Sequence, residues 1–377
     1  MDKINFIGYR PTWAEVNLGN ILHNFKEIKG RVAPNTKIMV TVKADAYGHG
    51  LIPVSQKLVS AGVDFLGVAS IDEGIKLRES GINLPILILG LILKEDIDPV
   101  FEYKLTPSVC DEELAVSLNN FAKSRSEHLN LHVKVDTGMG RIGVLHQEAD
   151  ALIKKISKLR FVNIEGVFTH FPFADLNKDF TLYQIKLFEK LIQKLNKLGI
   201  KINLFHAANS MGLIDYNHSH LNMVRPGLVI YGLSPKEGLE VNLKPVLSLK
   251  TRVIYVKKVP KGYGISYGHD YITKKPTQIV TIPIGYGDGY PRNLSNQAPV
   301  LIKGKRFKIS GKICMDQIMV DVGDLKVNVG DEVVLIGSQG KNKILTEELA
   351  RISGTIPYEI VCGFGARIPR VYSFKEV

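Results

Sequence analysis

Cysteine is scarce in this chain of 377 residues. Cys110, Cys314 and Cys362 show no paired spacing and no C-x-x-C, which excludes a disulfide framework and a cysteine-built zinc site, so no metal is expected. The same scarcity makes the cytoplasm the expected compartment. Long apolar runs are also missing. The most apolar stretch, residues 84–93, is interrupted by Pro85 and Gly90 and is too short to span a bilayer, so no membrane partner is expected. The segment Met1-Asp-Lys-Ile-Asn-Phe6 has no apolar core and no small-residue cleavage site, and no signal peptide is expected. Dense basic clusters are absent despite a net charge of +12. Lys154-Lys155 and Lys303-Gly-Lys305-Arg306 are short and lack interleaved aromatics, which speaks against nucleic acid. The surplus charge suits solubility and small anionic ligands. Short-period repeats and low-complexity tracts are absent too.

What is present is an ordinary globular composition, 45% hydrophobic and 23% charged, at a length that suggests two domains. Residues Thr12 to Val16 read as a short strand, and Asn17 as the N-cap of a helix bearing Leu18, Ile21, Leu22, Phe25 and Ile28. Eight strand-like runs follow: 38–42, 65–69, 85–89, 105–109, 131–135, 164–169, 204–208 and 223–231. Most are separated by helical patterns, such as those over 146–158 and 180–198. Alternating helices and short buried strands predict a parallel sheet. Eight units in about 200 residues suit a closed (β/α)8 TIM-type barrel. An open doubly wound sheet is the second choice, but no G-x-G-x-x-G follows the first of these strands. Near residues 234–238 the composition shifts. Beyond it, alternating runs such as 306–309, 318–322 and 332–336 between Gly and Asp turns predict a mostly β C-terminal domain, with one helix from Thr346 to Ile352. The expected domains are a barrel over residues 1–240 and a β-rich unit over 241–377.

Functional groups of such barrels collect at the carboxyl ends of the strands. Lys43 ends the first strand, in Val40-Thr-Val-Lys-Ala-Asp-Ala-Tyr-Gly-His-Gly50. It is either a lysine that reaches solvent or, if desolvated, a nucleophile for carbonyl carbons. Lys134 and Asp136-Thr-Gly-Met-Gly-Arg141 belong to the fifth strand, as a structural ion cluster or a substrate site. His170 ends the sixth strand, as a core histidine or a functional one. Asn209-Ser210 follow the seventh, as a helix cap or as part of an anion site. Arg225-Pro-Gly227 lies on the eighth, offering a permanent cation and a close backbone approach. A lysine, an anion cradle and a ring-facing arginine together fit pyridoxal phosphate.

The chain resembles the alanine racemases in a series of motifs that occur in family order. They are Val42-Lys-Ala-Asp-Ala-Tyr-Gly-His-Gly50, Lys134-Val-Asp-Thr-Gly-Met-Gly-Arg141, Thr169-His-Phe171, His206-Ala-Ala-Asn-Ser210, Val224-Arg-Pro-Gly227, Ile265-Ser-Tyr-Gly268, Gly285-Tyr-Gly-Asp-Gly-Tyr290, Ile313-Cys-Met-Asp-Gln317 and Thr355-Ile-Pro-Tyr358. The resemblance implies interconversion of L- and D-alanine for peptidoglycan, by two bases acting on opposite faces of a pyridoxal 5′-phosphate adduct. Lys43 would hold the cofactor and be one base; Tyr267 would be the other. Tyr47, Ser210, Gly227, Leu228 and Tyr358 would contact the phosphate. Arg225 would face the pyridine nitrogen and His170 would pack near the ring. Met315 would hold the substrate carboxylate with Arg141 nearby, and Tyr286 would narrow the entrance. Lys134 would be carboxylated and partner Arg141. The resemblance also implies a homodimer with shared active sites, in which Tyr267, Tyr286 and Met315 come from the second chain.

Racemases of serine or another small amino acid, decarboxylases of this architecture and a non-catalytic cofactor carrier are the alternatives. The tyrosine pair and Cys314-Met-Asp316 favour a small substrate, Arg225 argues against a decarboxylase, and Tyr267 argues against a carrier. Two positions depart from the family pattern: Asp45, where Asn is common, and the bulky Pro172-Phe-Ala-Asp175 after His170.

Overall fold

A computed structural model describes residues 9–234, 236 and 238–374. The segment Met1 to Phe6 and part of the stretch 234–238 therefore lie outside the described residues. Eight parallel strands form a ring. Lys37–Thr41 pairs with Phe65–Val68, which pairs with Ile86–Ile88. A parallel bridge from Leu87 to Thr106 leads to Ser108–Val109, Leu129–Asp136, Val162–Phe168 and Leu204–His206 in turn. Met223–Val224 pairs back onto Lys37–Thr41. The last seam is closed by Asn222 N–H to Phe205 O (3.2 Å) and Arg225 N–H to Ala208 O (2.9 Å). The result is the expected (β/α)8 barrel, with Met39, Phe65, Leu87, Leu204 and Met223 buried together as one core cluster.

Two strands shrink to a single pair of residues within their hydrophobic runs. The run 223–231 is a strand only over Met223–Val224, because Pro226 and Gly227 divert the chain into a 3-10 turn at Leu228–Tyr231. The run 105–109 pairs fully only at Ser108–Val109. Asn17 caps the helix Leu18–Lys29 as expected, its Oδ1 accepting from the N–H groups of Gly19 (2.9 Å) and Asn20 (3.2 Å).

The second unit has its own core, with Leu249, Val280, Ile282, Val300, Val320, Val334 and Leu349 all buried. Its largest sheet runs in the order 305–308, 299–302, 332–339, 247–252, 12–17, 370–373. The strand Thr12–Asn17 thus sits in this sheet, antiparallel to Leu247–Arg252 and parallel to Arg370–Ser373, rather than in the barrel unit where residues 1–240 were expected. Trp13 and Ala14 are fully buried on it. A strand's own sequence states which faces it buries but not which sheet receives it. Arg370 also ties this sheet to the barrel, its Nε donating to Gly48 O at 3.0 Å. Among the described residues, no helix is long and apolar enough to cross a membrane.

Candidate active site

The chain turns abruptly at Lys43. Ala44, Asp45, Ala46 and Tyr47 all have φ between 52° and 54°, one turn of left-handed helix built without glycine. Each such residue costs about 1–2 kcal/mol, so the turn must be held from outside. Glu73 does much of this: its carboxylate accepts Ala44 N–H at 2.6 Å and Ala69 N–H at 2.7 Å. Asp45 Oδ1 accepts Leu51 N–H at 2.7 Å, so this departure from the family pattern serves the start of the next helix. Gly48 follows at φ 78°, and a Cβ there would stand 2.2 Å from Val361 O.

Lys43 lines a cavity of about 560 Å³ together with Tyr47, Lys134, Arg141, His170, Ser210, Arg225, Gly227, Leu228 and Tyr358. The structure thus brings ten of the expected site residues together. Its cations dominate the electrostatics. Burial first and Arg141 second lower the pKa of Lys43, while Glu73 and Cys362 oppose them. Lys134 is 3% exposed, lies 4.3 Å from the centre of the Phe168 ring and is held well below its ordinary value by burial, then Arg225 and Arg141. His170 is likewise pushed well below its usual range by burial and then Lys134, so it is neutral. Gln184, on the helix Lys178–Lys197, donates to His170 O (3.2 Å) and Thr137 Oγ1 (3.1 Å) and steadies that strand end. In the bulky segment after it, Pro172, Ala174 and Asp175 line the cavity, while Phe173 packs edge-on against Phe180 at 5.8 Å.

One wall is an anion cradle. Ser210 Oγ accepts Gly227 N–H at 3.0 Å, and Asn209 caps the short helix Ser210–Asp215. A Cβ on Gly227 would meet the Tyr47 hydroxyl at 2.7 Å, so the cradle exists because this residue is glycine. The Tyr47 and Tyr358 rings lie 5.8 Å apart. Burial raises the pKa of both hydroxyls, Tyr358 to about 12, so both are donors at neutral pH. This donor set fits a phosphate, and the lysine beside it fits an aldehyde.

Arg225 closes the deep end. It is 5% exposed, and its Nη2 donates to Thr169 O (2.6 Å) and Ala207 O (3.0 Å). Burial lowers its pKa to about 9, which leaves it charged at neutral pH. Its Nη1 donates to His206 Nδ1 at 2.9 Å. His206 and its neighbour His132 were given no role from sequence. The signal that could have found them is their place on barrel strands, two histidines among inward-facing apolar positions.

Tyr267, Tyr286 and Met315 are elsewhere. Tyr267 and Met315 line a separate depression of the β domain with Ser266, His269, Cys314 and Asp316. Tyr267 is 68% exposed, Met315 53% and Tyr286 42%.

Fold and site define a barrel enzyme whose cavity, lined by two lysines and two arginines, suits anionic groups. Comparison with known proteins narrows this. Residues 16–235 match the model of the alanine racemase N-terminal domain, and residues 246–372 that of the C-terminal domain. Alanine racemase of Halothermothrix orenii is 49% identical over 97% of this chain and 98% of its own. Alanine racemase of Carboxydothermus hydrogenoformans is 45% identical over 96% and 100%. Among solved structures, alanine racemase of Clostridium difficile superposes with a TM-score of 0.92 at 40% identity, covering 98% of this chain and 97% of the other. That of Bacillus anthracis with bound L-Ala-P gives 0.92 at 37% identity, covering 98% and 96%. The chain belongs to the alanine racemase family, and its reaction is the interconversion of L- and D-alanine.

Proposed function

We propose that this chain racemises alanine with pyridoxal 5′-phosphate tethered to Lys43, in a homodimer whose active sites draw on both copies. The observation that supports this best is the placing of Lys43 in one cavity with the cradle of Tyr47, Ser210 and Gly227 and the buried Arg225. Tyr47, Ser210, Gly227, Leu228 and Tyr358 contact the phosphate, and His170 packs beside the ring. When bound, the cofactor supplies an electron sink that acidifies the α-proton. Arg225 faces the pyridine nitrogen as a donor that keeps its own proton, so that nitrogen stays unprotonated and the sink stays weak. A weak sink limits decarboxylation and transamination.

Racemisation removes the α-proton from one face and returns one to the other, which calls for a base on each. Lys43, with its lowered pKa, serves one face. Tyr267 serves the other, and its exposed place outside the Lys43 cavity supports delivery from a second copy. Met315 from that copy and Arg141 hold the substrate carboxylate, with Tyr286 narrowing the entrance. Lys134, crowded by Arg225 and Arg141, adds carbon dioxide at its neutral amine and releases a proton, and the resulting carbamate is an anionic partner for Arg141. The three free cysteines accord with a cytoplasmic enzyme that supplies D-alanine for peptidoglycan.

The test is a racemisation assay on purified, cofactor-loaded protein with alanine, serine, lysine and arginine. Alanine turnover and an absorbance near 420 nm that borohydride abolishes are expected (roughly, as for lysine-bound cofactor). Tyr267→Phe should lower the rate by about 10²–10⁴-fold and slow the two directions of solvent-isotope exchange unequally. Equal, small effects would remove Tyr267 as a face-specific base.

A further inference from the structure

Behind Arg225 the barrel interior holds a polar line that the reaction above leaves unused. Arg225 Nη1 donates to His206 Nδ1 at 2.9 Å. His206 Nε2 lies 2.8 Å from His132 Nδ1, and His132 Nε2 lies 3.2 Å from Glu165 Oε2. A guanidinium has donors only, so His206 must accept at Nδ1 and carry its proton on Nε2. His206 then donates to His132, which accepts at Nδ1 and donates from Nε2 to the carboxylate. Once the two ends are an arginine and a glutamate, only one direction of hydrogen bonding is open to the two neutral rings. Burial favours neutrality at both, lowering the pKa of His132 and holding His206 well below its ordinary range.

The surroundings are shaped for this line. Both histidines are fully buried, and the Phe168 ring stacks on His206 at 4.8 Å. Gly166 makes the room: a Cβ there would stand 2.5 Å from the His132 ring. Glu165 lies at the middle of the same strand, with its side chain 20% exposed, and Asn130 Nδ2 also reaches its Oε1 at 3.4 Å. Lys43, Lys134 and Arg141 line the same cavity as Arg225. Glu165 is the carboxylate that this hydrogen-bonded line joins to Arg225.

We propose that Glu165 is a positioning residue: through His132 and His206 it sets one direction of hydrogen bonding and so holds Arg225 on the cavity wall as a fixed donor. Its effect on the reaction rests on the reading of Arg225 given under the proposed function; the proton placement does not.

The test uses the full chain labelled with ¹⁵N at histidine, without cofactor, and long-range ¹H–¹⁵N spectra at neutral pH. His206 and His132, assigned through His206→Gln and His132→Gln, should both carry their proton on Nε2. Glu165→Ala should release His132 to a mixture of tautomers. Glu165→Gln, whose amide oxygen still accepts, should keep it. Gly166→Ala, which displaces the ring and leaves the carboxylate in place, should resemble Glu165→Ala. In the loaded enzyme Glu165→Ala should lower kcat roughly tenfold with little change in KM, and Glu165→Gln should restore most of it. A wild-type His206 protonated on Nδ1, or tautomers that ignore Glu165→Ala, would overturn the proposal. Shifted tautomers with unchanged kcat would overturn the positioning role. A wild-type chain that binds no pyridoxal phosphate would sink the functional reading, while the spectra would still decide the proton placement.

Discussion

Glu73 accepts the backbone N–H of Ala44 at 2.6 Å and so grips the chain one residue beyond Lys43. Its other oxygen takes Ala69 N–H, and Glu73 N–H is itself bonded to the cap Ser70. The left-handed turn from Ala44 to Tyr47 is therefore fastened to the next βα loop. Hydrogen bonds to a charged group contribute about 1.5–3 kcal/mol each. Glu73→Ala should destabilise the protein by about 2–4 kcal/mol, since the freed N–H groups are partly open to water. It should also cut kcat, because the lysine is no longer aimed. Chemical denaturation and steady-state kinetics check both. A variant of unchanged stability would mean that the turn is held by other contacts.

The protonation of Lys43 should respond to its neighbours in opposite directions. Arg141 lowers the lysine's pKa and Glu73 raises it. Only the neutral amine attacks the aldehyde, so attachment of pyridoxal phosphate should speed up as pH rises and level off above that pKa. Arg141→Gln removes a depressing influence and should move the profile to higher pH. Glu73→Gln removes an elevating one and should move it to lower pH. Borohydride trapping of the attached cofactor across a pH series measures the midpoint. Shifts of the same sign in both variants would contradict this electrostatic account.

The cradle makes a prediction of a steric kind. Gly227→Ala would place a methyl group 2.7 Å from the Tyr47 hydroxyl. The backbone there, at φ −128° and ψ −89°, lies outside the regions a side chain favours, so the variant should also lose some stability. Tyr47 would have to swing aside, taking one donor from the phosphate. Cofactor affinity should fall at least about tenfold, the worth of one hydrogen bond to a charged group at about 1.5 kcal/mol or more. Equilibrium dialysis of cofactor and thermal melting, run together, separate the two effects. Lost stability with unchanged affinity would place the cradle elsewhere.

How legible this was from the residues depended on where the information lies. Periodicity revealed the barrel, because each strand is buried on both faces and each helix on one. The motif series pointed to Lys43, Arg225 and the cradle, and the structure gathers those residues around one cavity. Three things stayed hidden. The left-handed turn was invisible because alanine there has no intrinsic claim to φ above zero, and Glu73 holds the turn from another element. The line from Arg225 to Glu165 needed the inter-strand register, which places His132 opposite Gly166 and Phe168 opposite His206. The strand Thr12–Asn17 looked like any half-buried strand, and only its pairing with Leu247–Arg252 assigns it to the β domain.

Asp288 supports the exposed half of the site in a way that can be measured. It is fully buried and pairs with Arg10, with Nη2 to Oδ2 at 2.7 Å, and with Arg367 at 3.4 Å. Its Oδ2 also accepts Gly285 N–H at 2.9 Å. Arg367 in turn holds Asp316 at 2.7 Å, next to Met315. Tyr286 N–H bonds to Cys314 O and Gly287 N–H to Met315 O, so the two loops move as one piece with Asp288 beneath them. Breaking a buried ion pair from one side costs about 3–5 kcal/mol. Asp288→Ala should lose that much stability. Arg10→Ala leaves Arg367 on Asp288 and should lose less. Because Tyr286 and Met315 are proposed to meet the substrate, Arg10→Ala should raise KM for alanine several-fold with little change in kcat. A fall in kcat at constant KM would mean instead that this clamp serves Tyr267 and not the substrate's carboxylate.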